Sequence, residues 1–205
     1  MIISLTGFMG CGKSSVGRRL SELLCCSFID LDDVIAEREE RSIPEIFATE
    51  GEAAFRQMEL NALEHVINNG GMERLEEPCY PSGRRGRGPS RIAMGGIVSP
   101  TSSCHHTILA LGGGAVMTEA CALMVREKTL CVYLRASVDT LVEHLAGEAA
   151  GRPMLADADL QTRIETLMDQ RAATYEKTAH VTVDTDGKTI EAIASDIISI
   201  TAKLS

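Results

Sequence analysis

The residues that most constrain this chain form a glycine-rich motif close to its N-terminus. Residues 7–14 read Gly-Phe-Met-Gly-Cys-Gly-Lys-Ser and match the pattern GxxxxGK[ST]. An apolar run, Ile2–Thr6, precedes the motif, and Lys13–Leu24 follows it with apolar residues at helical spacing. Such glycines let backbone amides wrap around phosphate groups, and the N-terminus of the following helix attracts the anion. The motif therefore predicts a phosphate-binding loop between the first strand and the first helix; a chance glycine-rich turn is the alternative.

Side chains inside this motif suit nucleotide phosphates and a divalent cation. The Lys13 ammonium group is expected to reach the β and γ phosphate oxygens, and the Ser14 hydroxyl to ligate Mg²⁺. Cys11 lies near the helix N-terminus, which favours its thiolate; alternatively, this position requires a small side chain and nothing more. We expect the nucleotide phosphates to contact Gly10, Cys11, Gly12, Lys13, Ser14 and Ser15.

Short apolar runs alternate with helical patterns along most of the remaining chain. The further predicted strands are Ser27–Leu31, Ile108–Leu111, Leu130–Leu134 and His180–Asp184. The further predicted helices are a short one that begins at the capping box Ser42–Glu45, then Glu52–Ile67, Ser137 to about Leu145, Leu160–Thr178 and Thr189–Lys203. This alternation predicts an α/β fold in which a parallel sheet lies between helical layers. A length of 205 residues fits a single domain, residues 1–205.

Acidic residues and glycines follow two of the predicted strands. Asp30 and Asp32 lie at the end of the second strand, and Gly112–Gly114 end the third. In an open α/β sheet the ligand binds at the carboxyl ends of the strands, so both groups should face one crevice. Helix capping is the alternative for the aspartates, and a tight turn is the alternative for the glycines.

The composition excludes several other classes of protein. The chain has 20 basic and 29 acidic side chains, and its net charge of −9 disfavours generic nucleic-acid binding. No run approaches the ~20 apolar residues of a membrane span. The seven cysteines are odd in number and include no CxxC pair, which disfavours a disulfide framework or a zinc site. We expect a cytoplasmic protein with reduced thiols and with no nucleic-acid or membrane partner.

Residues 71–106 interrupt the α/β pattern. They contain four of the six prolines, six glycines and five arginines. Such a segment inside a compact domain indicates a flexible insertion. Because it precedes the third strand, it joins the sheet at the amino end of that strand, and we expect it to be remote from catalysis. Its basic run, Arg84–Arg87, either binds an acidic partner or is simply solvated.

Several short motifs along the chain are more specific than the glycine-rich loop. They are Phe28–Asp32; Ser42–Phe47; Gly51-Glu52 followed by Phe55-Arg56 and Glu59; Leu109–Gly114; Val132–Leu134; Arg152–Leu155; and Arg171 with Tyr175 one turn later. Together with residues 7–14 they make the chain similar to the shikimate kinase family, in the nucleoside-monophosphate-kinase-like group of P-loop proteins. The resemblance covers nearly the whole chain except 71–106.

The resemblance implies both a fold and a reaction. The fold is a three-layer P-loop NTPase fold with five parallel strands in the order 2-3-1-4-5. It includes a small helical acceptor-binding lobe at residues 33–60 and a mobile lid at about 146–157. The reaction is the Mg²⁺- and ATP-dependent phosphorylation of the 3-hydroxyl group of shikimate, a step in chorismate and aromatic amino acid biosynthesis. The expected substrates are ATP and shikimate, and the expected form is a monomer.

On the acceptor side, the resemblance implies roles for residues in four segments. Asp32 would hold the reacting hydroxyl groups and accept the proton. The triple glycine, Gly112–Gly114, would contact the ring, with Gly113 as the backbone contact. Arg56 and Arg171 would clamp the carboxylate, for which two guanidinium forks are better suited than lysines.

On the nucleotide side, the resemblance implies that Lys13 and Arg152 contact the ATP phosphates and act in catalysis. Asp30 would be an outer-sphere partner of Mg²⁺ beside Ser14. Lys188 would belong to the loop around the adenine.

The chain departs from the family shortly before the lid, where a second arginine is frequent. Residues 143–145 read Glu-His-Leu here, and His144 is the candidate replacement. Another small-molecule kinase, such as a gluconate kinase, is one alternative function, against which Arg56, Arg171 and the triple glycine argue. A nucleotide-binding module without turnover is the other, and the intact phosphate loop and aspartates argue against it.

Overall fold

A five-stranded parallel sheet forms the centre of the fold. The computed structural model describes residues 1–69, 106–146 and 160–203 of the chain. The strands are β1 Ile2–Thr6, β2 Ser27–Asp30, β3 Thr107–Ala110, β4 Leu130–Arg135 and β5 Val181–Asp184. They lie in the order β2-β3-β1-β4-β5, and all neighbouring pairs are parallel, which confirms the expected topology.

Helices flank this sheet. They are α1 Lys13–Leu24, α2 Leu31–Glu39, α3 Ile43–Asn68, α4 Glu119–Lys128, α5 Val138–Leu145, α6 Leu160–Thr178 and α7 Ile190–Thr201, with a short 3₁₀ turn at Ala115–Met117. Helix α1 packs against α7, and α6 packs against α4 and α5. All residues of β1 and β3 are buried, as is typical of central parallel strands that are covered on both faces.

The strand register places three predicted site segments side by side. Leu5 of β1 pairs with Ala110 of β3, and Ala110 also pairs with Asp30 of β2. Beyond these residues β1 continues into the glycine-rich loop, β2 into α2, and β3 into the triple glycine. The three segments therefore start from the same edge of the sheet, where ligands bind in open α/β folds.

The sequence pattern did not predict α2 or α4. The strand expected to continue to Leu31 ends at Asp30, because the Asp30 carboxylate accepts a hydrogen bond from the Asp32 amide at 3.2 Å and caps α2. Both helices are short and bury few side chains, so they leave little periodicity in the sequence. The buried residues are Leu31 and Ile35 in α2 and Cys121 and Val125 in α4.

Helix α3 contains both of the helices predicted between residues 42 and 67. Ser42 and Glu45 form the expected capping box, in which the Ser42 hydroxyl accepts from the Glu45 amide at 3.4 Å and the Ser42 amide donates to Glu45 Oε2 at 2.8 Å. The helix kinks at Gly51, whose φ of +79° lies outside the helical region. The part of α3 after the kink carries Arg56.

Some sequence-based predictions concern residues outside the described part of the chain. These are the 71–106 segment except its last residue, the lid at 146–157 except its first residue, and Arg152. Their assignments stay predictions, as does the division into a single domain with an acceptor-binding lobe at 33–60. None of the helices in the described ranges combines the length and apolar character needed to cross a membrane.

Candidate active site

The glycine-rich loop after β1 borders a cleft of about 810 Å³. Gly10 and Gly12 have φ angles of +81° and +88°, in the left-handed region that favours glycine. A Cβ atom at Gly10 would also lie 2.8 Å from Cγ of Leu145. The predicted site residues that line the cleft are those of segment 10–15, together with Asp30, Asp32, Gly113 and Lys188. The cleft therefore brings together the predicted nucleotide side of the site, apart from Arg152.

The loop itself holds the Lys13 ammonium group. Its Nζ atom donates hydrogen bonds to the carbonyl oxygens of Gly7 and Phe8, at 3.0 and 2.9 Å. Cys11 is buried, and its sulfur lies 3.9 Å from Lys13 Nζ. A buried thiol packed inside the loop supports the interpretation that position 11 requires a small side chain.

The first turn of α1 is joined to the end of β2 by one hydrogen bond. Ser14 Oγ donates to Asp30 Oδ2 at 2.6 Å, and both residues line the cleft. Mg²⁺ prefers oxygen ligands and is commonly held by one or two protein groups together with substrate phosphates. Among the residues that the structure describes, no three His, Cys, Asp or Glu side chains form a metal cage. Ser14 and Asp30 thus fit a cation that is shared with a nucleotide.

Two carboxyl groups occupy the space that a side chain at position 112 would take. A Cβ atom on Gly112 would lie 2.7 Å from Asp32 Oδ1 and 2.7 Å from Glu59 Oε1. Burial raises the pKa of Glu59 from 4.5 to about 7, although the neighbouring Arg56 lowers it. The negative charge of Asp32 raises the pKa of Glu59 further. The lack of a side chain at Gly112 therefore lets Asp32, the predicted proton acceptor, reach the triple glycine.

Arg56 reaches the same turn from α3. Its Nη1 atom donates to Glu59 Oε2 at 2.6 Å, and its Nη2 atom donates to Glu52 Oε1 at 2.8 Å. A Cβ atom on Gly114 would overlap the Arg56 guanidinium group. The two carboxylates fix the orientation of the guanidinium fork. Glu59 belongs to a sequence motif but had no predicted role. Its spacing of three residues from Arg56 on a helix is the signal that indicates this pairing.

Arg171 approaches the turn from α6 and is 7% exposed. Within the described residues, no carboxylate forms an ion pair with it. Its guanidinium group contacts the hydroxyl of Tyr175, and that hydroxyl donates a hydrogen bond to the Gly113 carbonyl. A buried cation without an acidic partner is costly, so this position favours a bound anion. Arg56 and Arg171 do not line the cleft themselves. Arg56 is connected to it by its packing on Gly114, and Arg171 is connected through Tyr175, which bonds to Gly113.

The cleft is also lined by Lys188, which was predicted near the adenine, and by His144, the candidate replacement for a family arginine. Lys188 Nζ forms an ion pair with Asp196 Oδ2 at 2.9 Å, and its role in binding ATP stays a prediction. His144 Nδ1 lies 2.9 Å from the carbonyl oxygen of Gly10. Because a carbonyl accepts hydrogen bonds and cannot donate them, Nδ1 carries the proton in this contact. His144 therefore links α5 to the phosphate loop.

These features together define a class of protein. A glycine-rich loop between β1 and α1, acidic residues after β2 and the strand order 2-3-1-4-5 describe a P-loop kinase that phosphorylates a small molecule. The family model described as Shikimate kinase matches residues 9–72 and 96–202. This chain belongs to the shikimate kinase family.

Individual relatives agree with this assignment. A shikimate kinase of Salinibacter ruber is 34% identical over 211 residues, covering 99% of this chain and 86% of the relative. A shikimate kinase of Thermus thermophilus is 33% identical over 196 residues, covering 96% of this chain and 87% of the relative. The structure of a shikimate kinase from Acinetobacter baumannii in complex with shikimate has a TM-score of 0.78 at 25% identity, covering 100% of this chain and 94% of that one. A gluconokinase from Sinorhizobium meliloti shares the fold at a TM-score of 0.51 and 15% identity, covering 98% and 91%.

Proposed function

We propose that this chain transfers the γ-phosphoryl group of ATP to the 3-hydroxyl group of shikimate and releases ADP and shikimate 3-phosphate. Family membership and the similarity to a structure in complex with shikimate support this reaction. It is a step in the biosynthesis of chorismate and the aromatic amino acids. We further propose that the protein acts as a monomer in the cytoplasm.

The observation that carries the proposal is the placement of two arginines at the triple glycine. The phosphate loop serves the nucleotide, so a second group of cations, which surrounds the triple glycine and does not line the cleft, serves a second anion. Arg171 is buried and has no acidic partner among the described residues, and Arg56 packs on Gly114. Shikimate supplies a planar carboxylate on a hydroxylated ring, which two guanidinium forks can bind with paired hydrogen bonds.

The proposed chemistry needs positioning and charge stabilisation more than strong base catalysis, because phosphoryl transfer passes through a loose transition state. The 3-oxygen of shikimate forms a bond to the γ phosphorus while the bond from that phosphorus to the β–γ bridging oxygen breaks. The hydroxyl proton passes to the Asp32 carboxylate. Lys13 stabilises the charge on the phosphate oxygens, and family resemblance gives Arg152 the same task.

Mg²⁺ is the proposed cofactor, and Ser14 and Asp30 are the residues that would hold it. Their paired oxygen atoms beside the phosphate loop suit a hard cation. When bound, the ion would neutralise negative charge on the β and γ phosphates.

The test is ADP release from Mg·ATP with shikimate, with gluconate and without an acceptor. We expect turnover that depends on shikimate. Arg56→Ala should lower kcat/KM for shikimate by about 100-fold, because a charge-assisted contact to the carboxylate is lost, while ATP affinity stays unchanged. Arg41→Ala is the matched control: Arg41 pairs with Glu39 and Glu50 and does not line the cleft.

The other possible outcomes identify the alternative functions. Turnover with gluconate but not with shikimate would assign the acceptor site to a different small-molecule kinase. Binding of ATP without stimulation by either acceptor would favour a nucleotide-binding module. An unchanged shikimate response in Arg56→Ala would contradict the proposed carboxylate clamp.

A further inference from the structure

Tyr175 connects two parts of the acceptor site. It lies one turn after Arg171 on α6, and its side chain is buried. Its ring stacks on that of Tyr133, with centroids 5.2 Å apart and an interplanar angle of 26°. Its hydroxyl group donates a hydrogen bond to the carbonyl of Gly113. Since a hydroxyl has one hydrogen to donate, the contact with the Arg171 guanidinium uses its oxygen as the acceptor.

Each carbonyl of the triple glycine, Gly112–Gly114, has a hydrogen-bond donor. The amides of Ala115 and Met117 donate to the first and third carbonyls, at 3.1 and 3.0 Å. These two bonds belong to the local 3₁₀ turn. The middle carbonyl, that of Gly113, is held by Tyr175, which lies 62 residues further along the chain. A single hydroxyl group from another element therefore fixes the middle peptide of the turn.

Holding a carbonyl also orients the amide of the next residue. In a planar trans peptide the C=O and N–H bonds point in opposite directions, so the Gly113 carbonyl turned toward Tyr175 directs the Gly114 amide away from it. Within the described residues, neither the Gly113 nor the Gly114 amide donates a hydrogen bond. Both amides can therefore donate a hydrogen bond to an oxygen atom of a bound acceptor.

The surroundings of Tyr175 keep its hydroxyl protonated, the form that can donate a hydrogen bond. Burial raises the pKa of Tyr175 well above its usual range, although the adjacent Arg171 guanidinium lowers it. The hydroxyl therefore stays protonated at neutral pH. Its position is constrained by the stack on Tyr133 and by the helix that also carries Arg171.

We propose that Tyr175 is a positioning residue for the acceptor: its hydroxyl sets the triple-glycine amides and the Arg171 guanidinium in the arrangement that binds one acceptor molecule. This inference rests on the proposed function, because it concerns how shikimate is held. Tyr175 takes no part in the bond changes, so its effect should fall on acceptor binding and leave the chemical step and the nucleotide alone.

The experiment compares Tyr175→Phe with the matched variant Tyr133→Phe. Both replace one ring of the same stacked pair and keep its volume, but only Tyr175 has a hydroxyl that bonds to the turn. Steady-state rates are measured against shikimate and ATP separately. Shikimate binding is also measured by calorimetry at low temperature, so that a modest loss of stability does not hide the result.

We expect Tyr175→Phe to raise KM for shikimate about tenfold, because a polar group of the turn loses its partner. Its kcat should change by less than about twofold, and its KM for ATP should be unchanged. This pattern is expected when a variant loses a contact that holds shikimate equally well in the ground state and in the transition state. Tyr133→Phe should resemble the wild type in all three constants.

Three results would overturn the inference. They are an unchanged KM for shikimate in Tyr175→Phe, a rise in both Michaelis constants, and an equal effect of Tyr133→Phe, which would indicate loosening of the ring stack. All three presuppose a wild-type enzyme that phosphorylates shikimate. A wild type without that activity would instead refute the proposed function, so the two failures are distinguishable.

Discussion

Glu59 and Arg56 form an ion pair in which Oε2 of the acid lies 2.6 Å from Nη1 of the arginine, and the acid is buried. The Glu59 side chain is 1% exposed, whereas Glu52, the second partner of the same arginine, is 53% exposed. Oε1 of Glu59 has no hydrogen-bond partner within the described residues. A buried carboxyl with an unpartnered oxygen favours its neutral form, and burial raises the pKa of Glu59 to about 7. Glu59 therefore exchanges its proton close to neutral pH.

The stability of the wild type relative to Glu59→Gln should fall as the pH rises from 6 to 8. The folded-state pKa of Glu59, about 7, lies above the unfolded value of 4.5, so the folded protein binds more protons between these values. The stabilising contribution of protonated Glu59 is complete below pH 4.5 and is lost as the pH rises through 7. The expected decrease in the free energy of unfolding from pH 6 to pH 8 is about 1 kcal/mol, measured by urea unfolding.

Glu127→Gln is the matched control for this titration. It replaces an exposed acidic side chain of α4 that lies away from Arg56 and Glu59, so its stability difference from the wild type should stay nearly constant over the same pH range. A difference between the wild type and Glu59→Gln that stays flat, or that rises with pH, would contradict the raised pKa of Glu59.

Asp30→Asn should increase the Mg²⁺ concentration needed for half-maximal activity by about tenfold. The change removes the negative charge of the carboxylate that accepts a hydrogen bond from the Ser14 hydroxyl. Loss of a group that supports a metal ligand commonly lowers metal affinity 10- to 100-fold. Asparagine caps helices about as well as aspartate, so α2 should keep its stability. Asp33→Asn, which alters an exposed acid that pairs with Arg18, should leave the Mg²⁺ dependence unchanged. If both variants required the same Mg²⁺ concentration for half-maximal activity, Asp30 would not be part of the metal site.

Gly112→Ala should lower kcat by about 100-fold while ADP binding is retained. The new methyl group would lie 2.7 Å from Asp32 Oδ1 and from Glu59 Oε1, so at least one carboxyl group must move. A displacement of about 1 Å near the reacting hydroxyl can cost this much in rate. Rapid-quench turnover and ADP calorimetry separate the two effects. Wild-type kcat in this variant would show that Asp32 does not act from the position described.

The sequence predicted the phosphate loop and the sheet well because their signals are local. The motif at residues 7–14 lies between a buried strand and an amphipathic helix, and β1 and α1 begin and end where the pattern placed them. The strand order came from the family resemblance and was confirmed. The sequence pattern did not predict helix α2, because this helix buries only two side chains. It also begins directly after its cap, Asp30, whereas the pattern predicted that the strand continued past this residue.

The contacts that organise the site were harder to predict because they join distant residues. The hydrogen bond from Tyr175 to Gly113 spans 62 positions, and that from His144 to Gly10 spans 134. A run of three glycines predicts that other groups lie close to the backbone there, but it does not identify those groups. In the structure, Gly112 makes room for two carboxyl groups and Gly114 for a guanidinium group.

Arg171→Met should raise the stability of the protein and, in the same variant, weaken shikimate binding. The side chain is buried without an acidic partner within the described residues, so an apolar side chain of similar length removes a desolvated charge. Replacing buried ionic groups by apolar ones can stabilise a protein by roughly 1–4 kcal/mol, and the free energy of unfolding should increase within this range. In the same variant KM for shikimate should rise about 100-fold, because the carboxylate loses a guanidinium partner. Arg163→Met, at an exposed position of the same helix, should change neither quantity. A destabilised Arg171→Met with normal shikimate binding would mean that Arg171 supports the fold and does not hold the acceptor.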